Sequence, residues 1–452
     1  MLRPRSSLTG LVGLAALLLL TAAPALDAAA QWPQWRGPDR DGKAPDQGLL
    51  TSWPEGGPPL LLTATGLGAG YSSVSVSDGK IFTLGDLENG QHVFAIDAAS
   101  GEILWKTHLG AAWDDRFPGP RSTPTIDGDT LYALGTEGDL VSLSVADGKV
   151  LWKKNLVKDF GGQLMKAQGT YDWKWVESPL VDGDRLIVTP GAADAVMVAL
   201  NKKTGEEIWR AQLPELEGPG VPGAAYSSVV ISEGAGVRQY VQLVGQGVIG
   251  VATDTGRFLW AYTPVANEIA NIATPLIDGD TVFASTGYGT GAALLKLVKT
   301  ETGVDAEEVY FLPAEMFQNH HGGMILDDGT IYTGTGHNKG LPIALDKDKG
   351  QLVWGPLRND GRSSAAIAYA DGHLYLRYQN GLMLLVEATP EAYREKGSFE
   401  IPNVQRESWS HPVIADGRLY LREQENLYVY DLKPRMEKKA SGEGAGGEEA
   451  GR

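Results

Sequence analysis

Asp97-Ala98-Ala99-Ser100-Gly101-Glu102-Ile103-Leu104-Trp105 returns in altered form as Asp346-Lys347-Asp348-Lys349-Gly350-Gln351-Leu352-Val353-Trp354. The core of this stretch, Gly-x-x-x-Trp, also stands at Gly148/Trp152, Gly205/Trp209 and Gly256/Trp260. The steps between its glycines are 47, 57, 51 and 94 residues, and the last is twice the first. A step of that size supplies the missing marks: Gly303 with Glu307 in the tryptophan place, Gly397 with Ile401, and Gly57 with Leu61. Eight marks of one period describe a repeat protein, and length alone would mislead about its domain count.

A second mark runs out of phase with the first. Asp-Gly pairs stand at Asp78, Asp127, Asp182, Asp278, Asp328, Asp371 and Asp416, and Glu233-Gly234 fills the one gap. Each lies between two short runs of strand-forming residues, which is a hairpin signal. The second period then reads as four strands, at 122–126, 130–135, 140–144 and 149–155. Helical periodicity is missing except for one turn near 390–395. Four short strands per period predict an all-β fold, an eight-bladed β-propeller of four-stranded antiparallel blades. Seven blades is the competing count, should one period be degenerate. The last period has a third strand at 426–431 but no fourth, and the first has a fourth at 59–65 with nothing before it. The N-terminal strand is therefore expected to complete the last blade and leave no open edge.

Four segments follow. Residues 1–30 carry Arg3 and Arg5, an apolar run from Leu11 to Leu20 and small residues ending in Ala28-Ala29-Ala30, the pattern of a secretory signal peptide; an uncleaved anchor is the alternative. Residues 31–51 read as an extended N-terminal arm lying on the surface, 52–435 as the propeller, and 436–452, rich in Gly, Glu and Ala, as a disordered polar tail. An insertion is expected at 156–175. The expected location is periplasmic or extracellular, with no membrane span after signal cleavage.

Composition narrows the function. Thirty-nine basic against 56 acidic residues give a net charge of −17, which opposes a broad nucleic-acid-binding face. The absence of cysteine excludes disulfides, thiol nucleophiles and thiolate metal sites.

The Asp97 to Trp105 and Asp346 to Trp354 repeats resemble the pyrroloquinoline quinone (PQQ) repeat propellers over nearly the whole chain after residue 30. That family includes quinoprotein alcohol dehydrogenases and a lipoprotein subunit of the outer-membrane β-barrel assembly machine. Trp32-Pro33-Gln34-Trp35-Arg36-Gly37-Pro38 and Phe317-Gln318-Asn319-His320-His321-Gly322-Gly323 look like a secreted planctomycete-type subgroup. The resemblance implies the eight-bladed fold, with the repeated tryptophans packed between blades. It does not carry over an activity: the adjacent cysteines and haem motif of the catalytic quinoproteins have no counterpart, and no catalytic residue is assigned.

In a propeller the residues leading into each innermost strand meet at one mouth of the central channel. Here they include Arg121, Glu177, Tyr226, Asn271, His320, His321, Arg362, Trp409 and His411, with Tyr71 beside them. Arg121 and Arg362 suit a carboxylate held bidentately, and Trp409, Tyr71 and Tyr226 suit stacking on a flat ring. Such a mouth suits a small anionic or aromatic ligand, and PQQ with calcium is one such ligand. The competing reading is a solvated channel with no cofactor. Metal binding by His320-His321 is not expected, because neighbours on a strand face opposite ways. The run Thr286 to Gly291 reads as a hairpin, not a phosphate loop. Trp113, Trp173, Trp175 and Trp409 fall outside the repeat phase and read as exposed recognition surface. Two functions stand: a binding scaffold for a protein partner or small ligand, and a PQQ-dependent alcohol dehydrogenase.

Overall fold

The computed structural model describes residues 31–166, 172–301 and 303–434. The stretches expected as a signal peptide and a polar tail lie outside the described residues, as does part of the expected insertion. The described strands form eight antiparallel sheets of four. Blades 1 to 7 are contiguous, at 75–110, 125–155, 180–211, 230–262, 276–313, 325–354 and 365–400. Blade 8 joins Val413–Ala415, Arg418–Glu423 and Asn426–Asp431 to the outer strand Leu60–Ala64, with Leu62 opposite Val429. The ring is an eight-bladed propeller closed by its N-terminal strand.

The opening motif folds for local reasons. The Asp97 carboxylate accepts the N–H groups of Ala99 and Ser100, the N–H of Gly101 donates to the Asp97 carbonyl, and Gly101 turns back at φ 77°. Asn201 does the same for Lys203, Thr204 and Gly205. A bulge follows in every blade and re-aims the next side chain across the sheet.

That side chain is the repeat tryptophan. In blades 1, 2, 3 and 6 it lies opposite Ala95, Ser142, Ala199 and Ala344, small residues over which the indole can lie flat. The glycine of the following blade is its seat. A Cβ on Gly148 would come within 2.5 Å of Trp105, and one on Gly256 within 2.5 Å of Trp209. Indole N–H groups then donate across the gap, Trp105 to the Val145 carbonyl and Trp152 to that of Lys202. Gly-x-x-x-Trp is thus half of a clasp that the next repeat completes.

Three blades depart from the arithmetic of the sequence. In blade 5 the tryptophan register belongs to Tyr310, opposite Leu294, and not to Glu307; its hydroxyl reaches the Lys347 carbonyl. In blade 8 it belongs to Leu62, not Leu61. In blade 7 it falls on Gly397 itself, inside the strand Glu395–Glu400, and Ile401 lies beyond that strand. The empty slot is filled from outside the repeat. Trp53 lies on Gly397, donates its backbone N–H to the Lys396 carbonyl, and meets the rings of Tyr375 and Phe399 at 5.9 and 5.1 Å. The turn expected near 390–395 is a non-helical bend; the one α-helix among the described residues is Leu156–Phe160, capped by Asn155 at the start of the insertion.

The arm is not on the surface. It runs into the channel from the side of the Asp-Gly turns and fills the lower axis, where Trp32, Arg36, Arg40, Ala44 and Leu49 are buried. Trp32 bridges Val76 of blade 1, the Pro33 carbonyl accepts from Ile126 of blade 2, and Arg40 donates to the carbonyls of Ser178 and Val229 leading into blades 3 and 4. Trp35 Nε1 donates to Thr274 before blade 5, and Lys43 pairs with Asp327 of blade 6 at 2.6 Å. Ala44 donates to Tyr369 of blade 7, and the Asp46 carboxylate accepts from Gly417 of blade 8. The innermost strands leave their edges facing the axis, and an arm of mixed polar and apolar residues satisfies donors that would otherwise be buried without partners.

Candidate functional site

With the lower axis filled, the upper channel becomes a cup. Trp35 and Arg36 of the arm form part of its floor, and the segments leading into the innermost strands form its wall. It encloses about 1030 Å³ of empty space, counting the open mouth.

Of the residues expected at the mouth, Arg121, Tyr226, His320, His321, Trp409 and His411 line the cup, and so does Tyr71. Glu177, Asn271 and Arg362 do not. Glu177 is buried behind the wall, where one carboxylate oxygen accepts the Thr189 N–H at 2.5 Å and the other the Gln242 amide at 3.2 Å. Burial raises its pKa to about 7. Asn271 donates to the carbonyls of Val244 and Gly245, which fixes the approach to blade 5. Arg362 is exposed to solvent outside the cup.

One wall is aromatic. Phe117 stacks on Trp173 at 5.3 Å, and Trp409 packs against Phe117 at 4.9 Å and Tyr71 at 4.8 Å. Arg121 is enclosed by this wall. Its guanidinium lies 4.6 Å from the Trp113 ring and 5.0 Å from Tyr71, and it donates to the carbonyls of Phe117 and Gly119. It braces the loop that carries Phe117, through cation–π and carbonyl contacts. Trp175 does not belong to this surface: it is buried in the core beneath the insertion. Trp113 is buried beneath Arg121.

The adjoining wall is imidazole-rich, and His321 meets Trp409 at 5.7 Å, ring to ring. His320 lies 4.3 Å from His337 and 4.8 Å from His321, ring to ring, and bonds Ser364 through Nδ1 and the Tyr288 hydroxyl through Nε2. Tyr288 comes from the hairpin that Thr286 to Gly291 forms. His411 Nε2 contacts the His321 carbonyl at 3.0 Å, which makes that nitrogen the donor. Burial pushes His320 down to about 2 and His321 and His411 to about 3, so all three rings are neutral near pH 7. Among the described residues no group of three His, Asp or Glu side chains is placed to hold a metal.

Sequence reasoning missed Trp35, Arg36, Phe117 and Tyr288. Phe117 and Tyr288 sit in loops outside the repeat phase. The arm residues carried a signal only in their composition, Trp-x-x-Trp-Arg-Gly, which is too apolar for a segment lying in water.

Comparison with known proteins agrees with the ring. Over 226 residues the chain is 24% identical to the outer membrane protein assembly factor BamB of Kangiella koreensis, covering 49% of each chain. Over 172 residues it is 27% identical to the quinohemoprotein alcohol dehydrogenase ADH IIB of Pseudomonas putida, covering 36% of this chain and 23% of that one. The chain spans about half the length, or less, of these curated relatives. The crystal structure of BamB from Moraxella catarrhalis superposes with a TM-score of 0.55 at 11% identity, over 82% of this chain and 99% of that one. The quinohemoprotein alcohol dehydrogenase ADHIIG of Pseudomonas putida HK5 superposes with a TM-score of 0.60 at 14% identity, over 90% and 82%. These superpositions show a shared fold. A family described as outer membrane protein assembly factor BamB matches residues 89–356, more than half of the chain. The repeat, the closed ring and this match together show that the chain belongs to the PQQ-like propeller family of BamB.

Proposed function

We propose that this propeller is an exported binding scaffold and that the cup is where it holds its ligand, a flat aromatic group. The observation that carries this reading is the cup itself: a floor closed by the arm, one wall of stacked aromatic rings, and no carboxylate among its described lining residues. Pockets of this kind bury a flat ligand and orient it with a few polar atoms. The secretory pattern at residues 1–30 supports export. The names of the BamB relatives, assembly factors of the outer membrane, support a scaffold whose ligand group can belong to a protein partner.

The dehydrogenase reading fits these residues less well. Calcium beside a quinone takes oxygen ligands from carboxylates and amides. Glu177 is turned into the wall, and the Asn271 amide is held by backbone groups. The described lining offers neither, so its residues support no redox step.

The test is a calorimetric titration with indole on the full chain and on Trp409→Ala. Saturable binding that the substitution weakens at least tenfold supports the cup as a binding site. Unchanged affinity in the variant refutes it. Alcohol-dependent dye reduction with added PQQ and calcium would instead establish the dehydrogenase.

A further inference from the structure

We propose that Tyr288 presents the cup with a hydrogen-bond acceptor whose own proton is held by His320, so that the ligand is a flat ring carrying an N–H or O–H on its edge. This rests on the binding reading above and deepens it. His320 stands out in the sequence as one of an adjacent histidine pair, and the aromatic wall alone gives it no task. Its hydrogen bonds give it one. They join four side chains, Tyr288, His320, Ser364 and Asn338, in a single line from the cup to the solvent-exposed Asn338.

The partners set the direction of that line, and the proton positions are assigned from them. Asn338 Oδ1 accepts from the Ser364 hydroxyl at 3.1 Å, which commits that proton. Ser364 Oγ then meets His320 Nδ1 at 2.5 Å as an acceptor, so Nδ1 carries the ring proton. Burial keeps the ring neutral near pH 7, and a neutral imidazole protonated at Nδ1 accepts at Nε2. The group at Nε2 is the Tyr288 hydroxyl, 3.1 Å away, which therefore donates. Burial also raises the Tyr288 pKa, so the phenol keeps the proton it shares.

The tyrosine is also held where turn chemistry would not put one. Its φ is 58°, a left-handed value that bulky side chains seldom adopt, between Gly287 and Gly289. Glycine or asparagine would make that turn without strain, so the turn does not explain the ring. The Tyr288 N–H donates to His337 Nδ1 at 3.2 Å, the Gly289 N–H to Gln318 Oε1 at 3.1 Å, and the His337 ring lies 4.4 Å from the tyrosine ring. So pinned, Tyr288 is half-buried and lines the cup. Among the described residues no group donates to its oxygen, whose proton is committed and whose lone pairs are left to accept.

The experiment titrates three uncharged probes into the full chain by calorimetry: indole, benzofuran, which keeps the outline of indole and lacks its N–H, and quinoline, whose ring nitrogen only accepts. Indole should bind about tenfold tighter than either, because the other two leave the tyrosine oxygen without a donor. Tyr288→Phe should bring indole and benzofuran to within about twofold of each other while leaving the affinity of benzofuran unchanged. His320→Leu frees the tyrosine proton, so the ratio of indole to quinoline affinity should fall about tenfold, a change of preference that a loosened wall would not produce. An unchanged ratio in folded His320→Leu overturns the role of His320. Should either variant fail to fold, the wild-type order of the three probes still decides. Equal binding of indole and benzofuran by the wild-type protein overturns the acceptor and leaves the binding cup standing. If no probe binds, both readings fall.

Discussion

The perimeter and the axis of this ring are built on opposite principles. At the perimeter one solution is used repeatedly: a glycine turn, a bulge, and a tryptophan laid on the next blade's glycine. Along the axis the contacts vary. The arm meets the eight blades through different groups, with Arg40 alone serving blades 3 and 4, and the stretches leading into seven of the innermost strands bring differing side chains to the cup. Repetition supplies the closure of the sheets, and variation supplies a pocket with distinct walls. Trp53 shows where the two regions meet, since the segment following the arm lends a perimeter residue to the one blade whose own register position holds glycine.

The sharpest way to break this contrast is at that meeting point. If Trp53 does for blade 7 what Trp152 does for blade 2, Trp53→Ala and Trp152→Ala should each cost about 3–5 kcal/mol in denaturant unfolding. A loss under about 1 kcal/mol for Trp53→Ala alone would make it a surface cover and the perimeter purely repetitive.

A second test separates the regions by pH. His320, His321 and His411 titrate at about 2, 3 and 3 in the folded protein, because burial opposes their charged forms. Below about pH 6.5 the unfolded chain binds protons that the native axis refuses, so stability should fall as pH drops from about 6.5 toward 3. Glu177, raised to about 7, works the other way, favouring the folded state between about pH 4.5 and 7 at the acid end of that window. Melting temperatures measured across pH 4 to 7 should fall toward the acid end, and His321→Gln with His411→Gln should flatten the slope. A slope unchanged by both substitutions would place its origin away from the axis.

The smallest expected effect lies in blade 5. Tyr310→Phe keeps the ring on Gly350 and removes only the hydroxyl bond to the Lys347 carbonyl, for a loss of about 1 kcal/mol. A loss as large as that of Trp152→Ala would mean that Tyr310 is more than a substitute for the clasp.

The same contrast explains what could be read from sequence. A clasp made of local turn chemistry repeats wherever its residues repeat, so blade number, hairpin turns and the pairing of 59–65 with 426–431 were legible. Counting in steps of 47 failed at Glu307, Leu61 and Ile401, because bulge position and not residue number sets the register. The arm was read as peripheral because its partners are backbone carbonyls far away in the chain, which leave no pattern in the sequence. At the mouth, residue types told which side chains gather near the channel. They could not tell that Glu177 and Asn271 turn away from the cup into its wall, since that depends on the neighbours each finds, Gln242 for one and the Val244 carbonyl for the other.

The ladder between Leu62 and Val429 has a kinetic consequence. An outer strand made early in synthesis must wait for almost the entire remaining chain before its mate appears. During that interval Leu60 and Leu61 belong to an unpaired edge able to bind other strands. Closing so large a loop is entropically expensive and slow. Refolding should therefore be rate-limited by this final zipping, and aggregation during refolding should track the lifetime of the open ring.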